Sequence, residues 1–415
     1  MKRTGLSWVP YIPDSWNVVR IKDIARLQSG EGITSDSIDS IGDYPVFGGN
    51  GLRGYTDSYT NEGNYVLIGR QGALCGNINY ANGKFFASEH AVVVYPHDRK
   101  ENTTWLGETL RAANLNRLSA SAAQPGLAVS VLNFQFIPYP PKEVRKRIGN
   151  YLDEKLAEIN KRITSLAKQQ DAYARLKKSI IHQAVTRGLN PDVSLKDSGI
   201  EWIGMIPEHW ERFRLKDLGY MYGGLTGKSG DDFRCDDETK TKPYVPFTNV
   251  LNNTVVDNDS FHYVIMGDNE QQNQVRTNDL LFLMSSEDYE SIAKSAVVVG
   301  NPGEVYLNSF CRGLRITNRN CFAPFINYQL NSVMYRDALR FEARGFTRIN
   351  IKIDRVASHF VSLPPLSEQQ AIANYLDDKC TKIDAAIENI SKQIDASKRL
   401  KRALINEVIT GQRAV

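Results

Sequence analysis

The sequence predicts an α/β protein with a pseudo-twofold internal repeat, in which two globular domains are separated by two long helices that pair as an antiparallel coiled coil. Three observations carry this reading. A framing phrase is written twice. A long heptad-patterned segment is also written twice. The stretches between them alternate short apolar runs with helical periodicity.

The framing phrase comes first. "TGLSWVPYIPDSWNVVRIKDI" at Thr4–Ile24 aligns without gaps on "SGIEWIGMIPEHWERFRLKDL" at Ser198–Leu218, so that Gly5, Trp8, Ile12, Pro13, Trp16, Arg20, Lys22 and Asp23 return 194 residues later. Four of the five tryptophans lie in these copies, a distribution that suits packing at the entry to a domain better than chemistry.

The second repeat begins at Pro140 and at Pro364, now 224 residues apart. Each copy opens on a Pro-Pro pair, which suits the position just before a helix because proline has no amide to satisfy there. Ile148, Leu152, Leu156, Ile159, Ile163, Leu166, Tyr173, Leu176, Ile180 and Ala184 then follow at steps of mostly three and four. Ile372, Leu376, Cys380, Ile383, Ile387, Ile390, Ile394, Leu400, Leu404 and Val408 do the same. That is a narrow seam needing a partner helix, and each copy is the natural partner of the other. The order is therefore frame, insert, helix, twice over. The second insert is about thirty residues longer than the first, and the two share no clear identity.

Each insert (about 25–138 and 219–362) reads as an α/β domain. "NYVLIG" (64–69), "HAVVVYP" (90–96), "DLLFLM" (279–284) and "SAVVVG" (295–300) are strand-like runs bounded by turn residues. "TTWLGETLRAANLNRL" (103–118) and "PFINYQLNSVMYRDALRFEA" (324–343) are helix-like.

Composition narrows the class. The chain has 415 residues and a formal net charge of +4, with 41% hydrophobic and 24% charged residues, which is ordinary for a soluble protein of two or three domains. No apolar run reaches membrane-spanning length and "MKRTGLSW" lacks the apolar core of a signal peptide, so a cytoplasmic location is expected. Five scattered cysteines without CxxC suggest neither a disulfide framework nor a metal site. Charge is uneven, with twelve Lys/Arg against five Asp/Glu between Lys142 and Gly188, which fits an anionic partner or a solvated helix face.

Tempting motifs do not hold. "GGLTGKS" (223–229) resembles a phosphate-binding loop, but Tyr222 stands where the motif needs glycine and an acidic, turn-rich segment follows instead of a helix. "FGGNG" (47–51) reads as a tight turn. "YLDEK" and "YLDDK" read as helix-surface ion pairs. The acidic group Asp231, Asp232, Asp236, Asp237 and Glu238 lacks calcium-loop spacing. No catalytic, cofactor-binding or metal-binding set emerges. What recurs in both inserts is Arg, Lys, Asn and Gln mixed with Gly and aromatics, the side chains that pair with base edges and phosphates.

The duplicated frame, together with "GIEWIGMIPEHWERFRLKDL", "YPVFGGNGLRGY", "VLIGRQGALCGNINY" and "LPPLSEQQAIANYLDDK", resembles the DNA-specificity subunit of type I restriction–modification systems. The resemblance covers essentially the whole chain. One departure is "PPKEVRKRI", which lacks the Glu-Gln-Gln of the second helix start.

The resemblance implies a first target-recognition domain at 1–139, a central spacer helix at 140–188, a linker and second target-recognition domain at 189–363, and a C-terminal spacer helix at 364–415. Each domain would read one half of a bipartite, asymmetric double-stranded DNA site. Two modification subunits carrying S-adenosylmethionine would dock on the scaffold, and restriction subunits using ATP and Mg would join later. The chain itself would hold no cofactor and do no catalysis. The DNA contacts it implies are Arg53, Tyr55, Arg70, Gln71, Asn77, Lys84 and Gln124 in the first domain. In the second they are Lys228, Thr248, Asn249, Arg312, Arg344, Thr347, Arg348 and Asn350. Two other readings stay open at this point: a non-DNA coiled-coil scaffold with two ligand-binding domains, and a self-contained DNA methyltransferase.

Overall fold

A computed structural model describes residues 1–72, 74–119, 126–233, 241–267 and 269–415. Gln124, Cys235, Asp236, Asp237 and Glu238 therefore lie outside the described residues. The chain forms two compact units. One comprises Met1–Lys168 with Ile390–Val415, and the other comprises Gln169–Asn389. Each long helix, Lys142–Arg187 and Leu366–Ile409, thus begins in one unit and ends in the other.

In the first unit Trp16, Ile12 and Ile137 pack with Ile148 and Leu152 from the start of the first long helix. Leu404, Ile405, Val408 and Ile409 from the end of the second helix join the same core. The second unit repeats this with Trp210, Ile206 and Leu363 against Ile372 and Leu376 from one helix start and Ala184 and Val185 from the other helix end. Of the repeated tryptophans, Trp16 and Trp210 are buried in the cores, and Trp8 and Trp202 pack half-buried against them. Each fully buried Leu or Ile contributes about 2 kcal/mol by removal from water.

Within each unit the helices run antiparallel. In the first, Lys401 donates to Asn160 at 2.9 Å, while Arg413, further along, reaches the Tyr151 ring. In the second, Lys177 pairs with Asp384 at 2.7 Å, while Gly188 lies beside Glu368. The seam differs from the expected one at two positions. Leu176 and Leu400 are exposed. A strict 3.5-residue repeat from Ile394 passes through buried Ser397 and half-buried Lys401 instead, and in the first helix it passes through half-buried Lys177. No helix among the described residues is long and apolar enough to cross a membrane.

The inserts share a topology that their sequences hide. In the first unit an antiparallel sheet has the order 25–29, 91–96, 65–69, 78–81, and in the second the order is 219–223, 311–316, 280–283, 295–297. Each unit has a second sheet in which one strand (Tyr44–Gly48 or Thr241–Val245) pairs antiparallel with the next and parallel with a later one. The expected 324–343 helix is two helices, Ala323–Asn331 and Val333–Phe341. Ser332 between them is extended, and Asn331 turns its amide onto the Ser295 carbonyl at 2.9 Å.

Candidate nucleic-acid interface

Three pieces of backbone meet at one end of the main sheet in each unit, through the same hydrogen bonds. In the first, Arg70 follows the strand Tyr65–Gly69. Its N–H donates to the His90 carbonyl at 2.8 Å, and its carbonyl accepts from Leu127 at 2.8 Å. In the second, Met284 follows the strand Leu280–Leu283. Its N–H donates to the Phe310 carbonyl at 3.0 Å, and its carbonyl accepts from Ile351 at 3.1 Å. Gln71 bridges to Gly126 where Ser285 pairs with Asn350. The backbone junction is common to both units, and the side chains displayed on it are not.

At the first junction the structure gathers Arg53, Arg70, Gln71 and Asn77. Asn77 donates to Asn50 at 3.4 Å and its carbonyl accepts from Gly69 at 2.8 Å. Arg53 is the extra residue of a β-bulge between Tyr44–Gly48 and Gly51–Thr56, and its side chain lies across Gly48. A bulge re-aims the side chain it adds. Gln71 is exposed and Arg70 half-buried. Tyr55 sits further along the strand Gly51–Thr56, and Lys84 begins the strand Lys84–Ala87 of the same sheet. Tyr55 lies opposite Pro45, and Lys84 lies opposite Glu62 with its ammonium 4.7 Å from the centre of the Tyr59 ring. Tyr59 and Glu62 hold that ammonium above its ordinary pKa, so it stays charged.

At the second junction Arg312, Arg348 and Asn350 line one cleft of about 560 Å³ with Ser285, Ser309 and Phe310. Arg348 donates to Ser285 at 3.1 Å and lies 4.6 Å over the Phe310 ring. Arg312 donates to the Ser309 and Cys311 carbonyls. Arg344 and Asn350 exchange backbone hydrogen bonds, both 2.9 Å, which close a short loop carrying exposed Thr347. Thr248 adjoins the cleft through its neighbour Phe247, whose ring meets that of Phe310.

Two residues of the sequence-derived set find partners within the fold. Asn249 is buried. Its amide donates to the Asp257 carbonyl at 2.8 Å, and its oxygen accepts from the Asp257 N–H at 3.1 Å, clamping the following loop. Lys228 is committed to Glu270, and this pairing holds the Glu270 carboxyl at about 2. One glycine of "GGLTGKS", Gly224, also has a structural reason. A Cβ on Gly224 would lie 2.0 Å from the Asn308 carbonyl oxygen, and one on Gly30, its counterpart 194 residues earlier, would lie 2.2 Å from that of Ala87. A single 3₁₀ turn, Gly230–Phe233, follows the motif.

Other features of the sequence resolve as packing or surface pairs. Lys155 pairs with Glu158 and Lys382 with Asp378 along the helix surfaces. The carboxylates beneath the sheets are braced, Glu108 by Tyr80 and Arg111, and Asp279 by Tyr222 and Arg315. Burial and the adjacent carboxylate push both tyrosine hydroxyls far above their usual range, so they act as fixed donors. No group of three or more metal-ligating side chains occurs among the described residues.

The model of the type I restriction modification DNA specificity domain matches residues 13–169 and 207–396. The chain belongs to this family. The DNA specificity chain is 38% identical over 163 residues to the type I restriction enzyme EcoprrI specificity subunit of Escherichia coli. That match spans 38% of this chain and 40% of the relative's length. It is 22% identical over 417 residues to the type I restriction enzyme MjaVIII specificity subunit of Methanocaldococcus jannaschii, which covers 97% of this chain and 93% of that one. Its fold matches a solved structure from a study of complex assembly and conformational transition of the type I restriction–modification system, with a TM-score of 0.68 at 15% identity. The match covers 97% of this chain and 100% of that one. Membership sets the chain among specificity subunits and apart from the subunits that carry out the chemistry.

Sequence reasoning missed Asn50, Ser285 and Phe310 at the junctions. Phe310 carried a signal, an aromatic beside arginine in the polar segment "NSFCRGLRIT". Ser285 carried none, because only the sheet brings it to Asn350.

Proposed function

We propose that this chain reads a bipartite, asymmetric DNA site, one half with each insert, as the specificity subunit of a type I restriction–modification complex. The observation that supports this reading is the shared backbone junction carrying different side chains. One scaffold lettered in two ways suits two unlike half-sites. On this reading 1–139 and 189–363 hold the recognition domains, while 140–188 and 364–415 set the spacer and dock the partners.

Arg53, Arg70, Gln71 and Asn77 face one half-site. Arg312, Arg344, Thr347, Arg348 and Asn350 face the other, with Thr248 at the margin. Arginine and asparagine make bidentate bonds to guanine and adenine edges. Tyr55 and Lys84 lie off the junction and suit the phosphate backbone. Two modification subunits supply S-adenosylmethionine chemistry, and restriction subunits supply ATP- and Mg-dependent cleavage. The complex works in the cytoplasm.

The test uses the full chain purified with its modification subunits and a duplex recovered by selection from a random library. Affinity should fall steeply with salt, because phosphate contacts release counterions. Oligonucleotides scrambled in one half should lose only that half's contribution. Binding that ignores both salt and sequence would favour the non-DNA scaffold.

A further inference from the structure

Phe346 is the most exposed large hydrophobic side chain among the described residues, at 102% relative accessibility. It sits at the tip of a braced loop. Arg344 and Asn350 exchange both backbone hydrogen bonds at 2.9 Å, and the Tyr289 hydroxyl donates to the Gly345 carbonyl at 3.1 Å. Arg344 also donates to the Phe341 and Ala343 carbonyls, at 2.6 and 2.8 Å. Gly345 has φ +142°, and a Cβ there would lie 2.0 Å from the Arg348 carbonyl oxygen, so this turn requires glycine. The fold therefore holds an apolar ring in water on a preorganised turn.

Cationic side chains flank the ring, while two acidic neighbours of the bracing Tyr289 are already engaged, Glu290 by Arg340 and Asp288 by Ser291. Arg344 and Arg348 flank it in sequence, and Arg312 lines the adjoining cleft. Ile41 is a useful contrast. It is nearly as exposed, at 86%, but it stands between Asp39 and Asp43, whose charges repel a polyanion.

The geometry points to Phe346 as a wedge that enters between two base pairs of the half-site read by the second insert, with Arg344 on a neighbouring phosphate and Arg348 at the adjoining base edge. This rests on the DNA-reading proposal and adds a specific act to it. An apolar side chain inserted at a base step unstacks and kinks the duplex. Flexible pyrimidine–purine steps yield most easily, so the wedge selects sequence without touching a base edge.

The experiment uses the full chain with its modification subunits and the selected duplex. 2-Aminopurine is placed singly through the half-site whose binding depends on Arg348, and the adenine that would be methylated is left unlabelled. The wild-type complex should give a several-fold rise in fluorescence at one step. F346A should abolish that rise and weaken this half-site about tenfold, in line with the value of one base–aromatic stack. The other half-site, subunit assembly and thermal midpoint should not change, and F346L should keep most of the signal. Unchanged fluorescence and affinity in F346A would overturn the wedge and leave DNA reading intact. Loss of subunit assembly in F346A would overturn it in favour of a protein contact. A wild-type complex without salt-dependent binding would remove both proposals.

Discussion

Arg145 and Gln369 stand at the same position of the two long helices and close the helix start in the same way. Arg145 Nη1 donates to the Pro140 carbonyl at 2.7 Å, and Gln369 Nε2 donates to the Pro364 carbonyl at 2.8 Å. Both are buried. Gln369 also accepts from the Phe322 N–H at 2.8 Å and donates to the Asn320 carbonyl at 2.9 Å. Arg145 instead takes the buried Glu101 carboxylate at 2.9 Å and stacks 3.9 Å over Tyr139. The departure "PPKEVRKRI" therefore replaces a neutral lock with a charged one.

The two locks should fail differently. R145M leaves Glu101 as an unpaired buried charge and should cost about 3–5 kcal/mol. Q369A leaves neutral groups unpaired and should cost about 1–3 kcal/mol. Adding E101Q to R145M should recover much of the first loss and has no counterpart in the second. Urea unfolding combined with hydrogen exchange at residues 142–150 and 366–374 measures both; equal penalties would contradict this account.

The arginines of the two junctions should act separately. R70A should weaken the half-site of the first insert by about 1–3 kcal/mol and R348A that of the second by a similar amount, the range for a bidentate base contact. Competition with duplexes altered in one half reads this directly. A loss shared by both halves would assign these side chains to general phosphate binding.

N249A should separate stability from reading. Removing the amide strands both backbone groups of Asp257, at a cost of about 1–3 kcal/mol. The preference between half-site variants should not change at temperatures where the protein remains folded. An altered base preference in N249A would return Asn249 to the interface.

Stability should depend on His359 in mildly acidic solution. Its ring stacks on Trp202 at 4.8 Å, its Nε2 is buried with no hydrogen-bond partner among the described residues, and burial lowers its pKa to about 4. Above the unfolded value of 6.5 the ring is neutral in both states and adds no pH dependence. Below it the unfolded chain takes up the proton and the folded chain does not, so stability falls from pH 6.5 to about 4 and then levels off. The full loss is about 3 kcal/mol. Urea unfolding of wild type and H359Q between pH 7.5 and 4.5 should show the wild type losing more; parallel curves would rule the histidine out.

Spacer choice should follow helix length. Four residues inserted into both long helices add about 6 Å of rise, or about two base pairs of duplex. Selection from a random-spacer library should move the preferred gap by that amount, and an unmoved gap would refute the ruler role.

The long helices were legible because their signal is local. Heptad spacing, Pro-Pro starts and the absence of breakers are read residue by residue, and a gapless repeat needs no coordinates. Leu176 and Leu400 escaped because a seam is defined by its partner, and at the drift points Lys177 and Ser397 meet it instead. Asn249 and Lys228 looked like ligand-facing residues only while Asp257 and Glu270 were unplaced. A polar side chain in sequence does not show which polar group it will find.

By itself the sequence determined the duplicated frame, the pairing of two heptad helices, two α/β inserts and the resemblance to specificity subunits, because each is written in short-range pattern. Only the tertiary structure decided that the inserts share one sheet order and that Arg70 and Met284 hold the same three-way junction. That equivalence lies in backbone hydrogen bonds between segments far apart in the chain, and such bonds place almost no demand on which side chains stand there.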